Sequence, residues 1–171
     1  MAKPSVRPRP CVDPDCRGRH SPRERVALAV SICEGRGVRM TALRRRILEL
    51  LWASGRPTGA YELIKAVTPR DSRPVGPPTV YRVLEFLMAQ GLVSRIESLN
   101  AYVPCVHPER DHDCLFFICS RCRSSVELED PRIGGLLAED AAVLGFVATR
   151  RTVEVEGMCA RCAESRRRRR K

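Results

Sequence analysis

The 171-residue chain predicts an α+β fold, an N-terminal winged helix-turn-helix domain followed by a smaller α/β domain. Three observations carry this reading. Capped, helix-period apolar stripes fill the first half, a hairpin signal closes it, and paired cysteines mark the second half. A hydrophobic fraction of 43% is enough to bury a core at this length.

Residues 1–20 hold four prolines, several arginines and no helical or strand period, and read as a flexible, disordered arm. Structure begins at Ser21, where Ser21-Pro22-Arg23-Glu24 makes a capping box with proline at the first helical position. Val26, Ala29, Val30 and Cys33 then share one face, and Gly35 and Gly37 end the helix. Thr41 caps a second helix with Leu43, Ile47, Leu50 and Leu51 as its stripe and Arg44, Arg45 and Arg46 mostly off it; Gly55 and Pro57 stop it.

A third helix follows Thr58, with Ala60, Leu63, Ile64 and Val67 inside, Tyr61 off the stripe, and Thr68-Pro69 as its end. Pro77 and Pro78 place the start of a fourth helix at about Pro78. Val80, Val83, Leu84, Leu87 and Met88 form its inner face, Tyr81, Arg82 and Glu85 face outward, and Gly91 is its C-terminal glycine. Strand-like runs Leu92 to Glu97 and Ala101 to Val103, joined by Ser98-Leu99-Asn100, complete the wing, so residues 21–104 read as a DNA-binding unit.

The second domain, residues 105–163, begins with an apolar strand from Leu115 to Ile118 and an alternating strand around Val126 and Leu128. A helix then aligns Ile133, Leu136, Leu137, Ala141 and Leu144, and a last strand runs from about Phe146 to Val155. Residues 164–171 form a basic tail whose six terminal like charges repel one another and predict disorder.

With 31 Lys+Arg against 20 Asp+Glu, the net charge of +11 points to a polyanionic partner, nucleic acid first. No run approaches the ~20 apolar residues of a membrane span, and the N-terminus lacks a signal-peptide core, which predicts a cytoplasmic protein without a membrane partner. In a reducing compartment an odd count of nine cysteines argues for thiolate ligation of metal rather than disulfides.

Cys119-x-x-Cys122 and Cys159-x-x-Cys162 are the strongest local signal, because two such turns supply the four-sulfur shell of a structural zinc. Arg121, Arg123 and Arg161 lie beside them to offset the negative charge of four thiolates. A looser cluster of Cys105, His107, Asp111, His112, Asp113 and Cys114 offers a mixed ligand set suited to zinc. Val126 and Leu128 point to the core on a nearby strand, which leaves Glu127 facing the other way and free to ligate. Cys11, Cys16 and His20 fall one ligand short of a third site, and Cys33 reads as core.

For DNA, the outward residues of the first turns of a recognition helix are the ones that reach base edges, here Tyr81 and Arg82. Arg44, Arg45, Arg46 and Lys65 would supply charge toward the phosphate backbone.

The run Pro77-Pro78-Thr79-Val80-Tyr81-Arg82-Val83-Leu84-Glu85-Phe86-Leu87 resembles the recognition-helix signature of the ferric-uptake-regulator superfamily. Gln90-Gly91-Leu92-Val93, Glu97 to Cys105 and Phe117-Ile118-Cys119-Ser120-Arg121-Cys122 resemble its zinc-uptake-regulator branch, so the likeness spans about residues 22 to 163. The resemblance implies a zinc-responsive repressor of zinc uptake genes: a homodimer, joined through the C-terminal domain, that binds a palindromic double-stranded operator when metal-loaded. It implies no small-molecule substrate and no catalysis. It places a structural zinc on Cys119, Cys122, Cys159 and Cys162, a regulatory zinc on Cys105, His112 and Glu127, and DNA contacts on Tyr61, Tyr81 and Arg82.

One position departs from the branch. A histidine common on its first wing strand as a further regulatory ligand is Ser94 here, and a serine hydroxyl is a poor zinc ligand at neutral pH. His107 is the first substitute, ahead of Asp113, Cys114 or water. Two other readings remain: an iron or peroxide sensor of the same superfamily, disfavoured by the thiolate Cys105, and a thiol enzyme using Cys105 with His107 or His112, for which no orienting third group is evident.

Overall fold

The structure is a computed structural model describing residues 21–68, 75–109, 114–128, 130–148 and 151–168. The N-terminal arm, with Cys11, Cys16 and His20, lies outside the described residues, as do Asp111, His112 and Asp113.

The first helix, α1 (Pro22–Gly35), opens with both halves of the capping box: Ser21 Oγ accepts the Glu24 N–H at 3.3 Å, and Glu24 Oε2 accepts the Ser21 N–H at 2.7 Å. The second, α2 (Ala42–Ser54), is capped by the Thr41 side chain and ends at Gly55, whose φ of 62° is the left-handed turn that glycine adopts without strain. Its buried face is Ile47, Leu48 and Leu51, with Leu43 and Leu50 half-buried at its edges. A two-residue strand absent from the sequence reading, β1 (Thr58–Gly59), leads into α3 (Ala60–Val67).

Gly76 precedes α4 (Pro77–Ala89), which starts one residue earlier than expected because both prolines fit its first turn. The hairpin of β2 (Val93–Ile96) and β3 (Ala101–Pro104) follows, and β1 adds to its other edge to give the antiparallel order β1-β3-β2. Val26, Ile47, Leu51, Leu63, Leu84 and Leu87 lie at the centre of one core that joins the four helices to this small sheet.

In the second domain β4 (Cys114–Cys119) is central, antiparallel to β5 (Ser125–Leu128) and parallel to β6 (Thr152–Gly157). The parallel pair requires a crossover, and α5 (Pro131–Val143), capped by Asp130, lies within it. A short helix, α6 (Ala160–Arg168), closes the described chain.

Three expectations are corrected. The last strand begins at Thr152, and no strand forms over residues 146–148. The basic tail is helical through Arg168, because the Cys159–Cys162 turn supplies the nucleus that an isolated arginine run lacks. Val126 does not point into a core: it is 44% exposed, and Leu136 on α5 is 64% exposed. Among the described residues that face of the sheet stays partly exposed, so apolar periodicity there marks a surface rather than an interior.

The two domains meet at the wing. Ile96 and Val103 from the hairpin pack with Phe116 and Ile118 from β4 in a second buried cluster, with Leu99 of the wing turn against it. Beside this cluster Glu154 of β6 accepts the Glu97 N–H at 2.6 Å and the Ser98 N–H at 3.1 Å. Burial pushes the Glu154 carboxyl upward, but the Ser98 hydroxyl and the two wing amides outweigh it and hold the group below its usual value.

Phe116→Ala is therefore expected to cost about 3–5 kcal/mol in urea denaturation, the range for emptying a buried aromatic site. Because the folded-state value of Glu154 is lowered, its contribution is complete above the ordinary carboxylate range and is lost as pH falls through the lowered value. Glu154→Gln is accordingly expected to melt below wild type at neutral pH and to converge with it in acid.

Candidate metal centres and nucleic-acid interface

Parallel pairing of β4 with β6 sets Cys119 opposite Gly157, so the two Cys-x-x-Cys turns emerge at the same end of the sheet. The first turn is closed by Arg123 N–H to Cys119 O at 2.9 Å and Cys119 N–H to Ser124 O at 2.9 Å, with Arg123 at a φ of 61°. The second is closed by Cys162 N–H to Cys159 O at 3.0 Å, where α6 begins. Across them Ser120 N–H donates to Gly157 O at 2.8 Å and Cys159 N–H to Cys119 Sγ at 3.4 Å.

The sulfurs of Cys119, Cys122, Cys159 and Cys162 all lie within 4.8 Å of one another, and Cys122 and Cys159 are 3.9 Å apart. Tetrahedral zinc with Zn–S bonds of about 2.3 Å requires sulfurs about 3.8 Å apart, so the group fits that ion with little adjustment. Among the described residues this is the one cluster of three or more ligand-type side chains whose donor atoms converge.

The four thiols are not equivalent. The Ser124 hydroxyl, 3.1 Å from Cys122 Sγ, and the Ser124 backbone lower the Cys122 pKa to about 5. Burial pushes Cys162 up to about 12. The Cys159 amide lowers Cys119. Arg161 is itself raised by its hydrogen bond to Cys122, in keeping with the charge-offsetting role expected of it. Arg121 instead donates to Cys162 O at 3.1 Å, fastening one turn to the other.

The hinge between the domains holds the second candidate site. Buried Cys105, fixed by its N–H to Leu92 O at 3.0 Å, places Sγ 3.7 Å from Glu127 Oε1. A zinc shared tetrahedrally by a thiolate and a carboxylate oxygen holds them about 3.6 Å apart, so this pair also fits. The other oxygen, Glu127 Oε2, accepts the Val106 N–H at 3.3 Å.

Glu127 reaches the hinge by the opposite route from that expected. It stands opposite buried Phe116 in the β4–β5 register, on the face turned toward the wing, while Val126 occupies the exposed face. His107 is directed to Glu109, with Nδ1 3.1 Å from Oε1, and does not join Cys105 and Glu127 in one converging group. Ser94 is half-buried on β2 opposite Val103.

On the helical domain, Tyr61 is 72% exposed on α3, and Tyr81, 39% exposed, and Arg82 stand on the first turns of α4. Lys65 is exposed on α3, and Arg45 and Arg46 both pair with Glu49, at 3.1 and 3.7 Å. Arg44, expected to supply charge toward the phosphate backbone, is half-buried, with its guanidinium stacked over Phe86 at 3.4 Å and donating to Arg39 O. No sequence pattern announces Arg25, a buried cation on α1, or Glu154, whose partners are 56 and 57 residues away.

The sequence profile of the Ferric uptake regulator family matches residues 35–156. The zinc uptake regulation protein of Escherichia coli is 36% identical over 143 residues, covering 82% of each chain. Among solved structures, a zinc uptake regulator complexed with zinc and DNA superposes with a TM-score of 0.82 at 33% identity, covering 87% of this chain and 99% of that one. Holo XcZur gives 0.76 at 43% identity, over 84% of this chain and 99% of that one.

Two outcomes are expected from the site geometry. Because Cys122 is already a thiolate at neutral pH, zinc loading of the four-cysteine centre should release fewer than four protons, measured by calorimetry in buffers of different ionisation enthalpy. Arg82→Ala should cost ~1–3 kcal/mol at a preferred duplex with little loss on random DNA, whereas Lys65→Ala should weaken both alike.

Proposed function

We infer from these findings that the chain, which belongs to the ferric uptake regulator family, is a zinc-responsive DNA-binding transcriptional repressor of zinc uptake genes. The observation that carries this reading is the coexistence of a four-sulfur cluster and a separate thiol–carboxylate pair at the hinge of a winged helix. That arrangement is likened over most of the chain to a regulator solved with zinc and DNA.

In this reading Cys119, Cys122, Cys159 and Cys162 hold a structural zinc, and Cys105 and Glu127, with His112, hold the regulatory one. Bound zinc supplies a cationic cross-link that thiolates and carboxylates cannot make among themselves. Cys105 sits where the wing ends and Glu127 on the C-terminal sheet, so their approach ties the DNA-binding domain, residues 21–104, to the domain at residues 105–163. Tyr61, Tyr81 and Arg82 face the operator.

The protein acts as a homodimer on palindromic duplex DNA. The face of β4, β5 and β6 that one chain leaves open aligns Phe117 with Val126 and Val155 by register, an apolar surface suited to a second copy. Two recognition helices are then held at the spacing of successive major grooves. The reading is that of a regulator and not of an enzyme, and it places the protein in the cytoplasm. No described helix is long and apolar enough to cross a membrane.

Cys105→Ser is expected to abolish zinc-dependent DNA binding while the dimer stays folded; Cys119→Ser should unfold the C-terminal domain, followed by circular dichroism and gel filtration. Equal loss of fold in both variants would contradict the division into structural and regulatory sites. Phe117→Lys should shift the protein toward monomer in sedimentation velocity and weaken operator binding with it.

A further inference from the structure

We propose that Arg25 is a positioning residue that transmits the state of the hinge site to the DNA-binding helices, an inference that rests on the regulatory reading of Cys105 and Glu127. Arg25 lies on the inner face of α1, beside Val26 and in line with Ala29 and Cys33, where an apolar side chain would pack without desolvation cost. It is only 6% exposed. Burying a guanidinium is unfavourable unless its face and its donors are used.

Both are used here. The guanidinium lies over the Trp52 ring of α2, 5.4 Å from its centroid, and Nη1 donates to the carbonyl of Val106, 81 residues away. That same residue donates its N–H to Glu127 Oε2. Val106 is therefore held from both domains: its N–H by a carboxylate of the C-terminal sheet, its carbonyl by a cation of the first helix. It is also adjacent to Cys105.

A carboxylate that engages a cation through Oε1 while Oε2 keeps the Val106 amide is fixed in orientation, and so is the peptide it holds. Arg25 reads that peptide and rests on α2, which packs against both α3 and α4. The path from hinge to recognition helix thus runs through Glu127, Val106, Arg25 and Trp52, each in contact with the next. In this path Arg25 acts on the Val106 peptide and so orients the segment that carries Cys105.

Trp52 is the chain's single tryptophan, so its emission reports this contact directly. The test titrates zinc into full-length wild type, Arg25→Met, Arg25→Lys and Cys105→Ser, each with the four-cysteine centre loaded. Trp52 emission is read alongside affinity for a palindromic duplex selected by the zinc-loaded wild type. In wild type, zinc should raise DNA affinity and shift the emission. Arg25→Met should bind hinge zinc within about threefold of wild type, lose the emission shift, and lose about tenfold of the zinc-driven gain in DNA affinity. Arg25→Lys, which keeps a charge and a donor but not the planar face, should recover part of that gain.

If Arg25→Met keeps the full gain while Cys105→Ser loses it, Arg25 is not a transmitter and the regulatory reading stands. If Arg25→Met does not fold, Arg25→Lys decides, a reduced gain supporting the inference and a full gain overturning it. If wild type shows no zinc-driven gain, or Cys105→Ser retains it, the regulatory reading fails and this inference with it.

Discussion

The parallel register between β4 and β6 sets Cys119 level with Gly157, and the architecture of the C-terminal domain follows from it. That pairing puts two Cys-x-x-Cys turns at one end of a three-stranded sheet whose interior is small. Apart from Cys105, Cys119 and Cys162, the domain's buried apolar side chains among the described residues are Val106, Leu115, Phe116 and Ile118. A sheet with so little core needs a staple, and the four sulfurs are placed to provide one through a metal ion. The division of the thiols into a low-pKa Cys122 and a high-pKa Cys162 describes a site half prepared for a cation.

The same central strand organises the hinge. Phe116 and Ile118 face the wing, and because side chains alternate along strands, the β5 residue opposite Phe116 faces the wing as well. That residue is Glu127, so packing between the domains and the approach of Glu127 to Cys105 are two consequences of one register. Glu154, two strands away from Glu127 on β6, adds a polar grip on the wing turn. Apolar burial, a carboxylate grip and a ligand pair thus act on the same hairpin. In the proposed function, relative domain orientation is the quantity that bound metal would bias, within the few kcal/mol typical of such coupling.

Much of this was legible in the sequence wherever the determinant was local. The Ser21–Glu24 capping box, the Thr41 cap, the left-handed Gly55 and Gly91 and the Pro77-Pro78 start of α4 are short-range signals, and the helices stand where they place them. The paired cysteines were equally plain, because ligand spacing within a turn is a local constraint. What failed was the direction of faces. Alternation at Val126 and Leu128 and the stripe on α5 mark apolar surface without saying whether one chain or two must cover it, and Val126 stands exposed as a result. Arg25 and Glu154 were invisible because their partners are 81 and about 56 residues distant, and no spacing rule relates them. Arg166 to Arg168 differ for the opposite reason: like-charge repulsion alone disfavours order, and the turn that starts their helix offsets it.

The claim on which all of this turns is that the chain carries two classes of zinc site with separate duties. Elemental analysis of the purified protein before and after mild chelation, paired with DNA binding at fixed salt, tests it most directly. Two zinc per chain falling to one, with DNA binding lost and then restored by added zinc, is the predicted result. One zinc throughout, with DNA binding indifferent to chelation, would contradict it and identify a chain in which Ser94 marks the loss of the regulatory site.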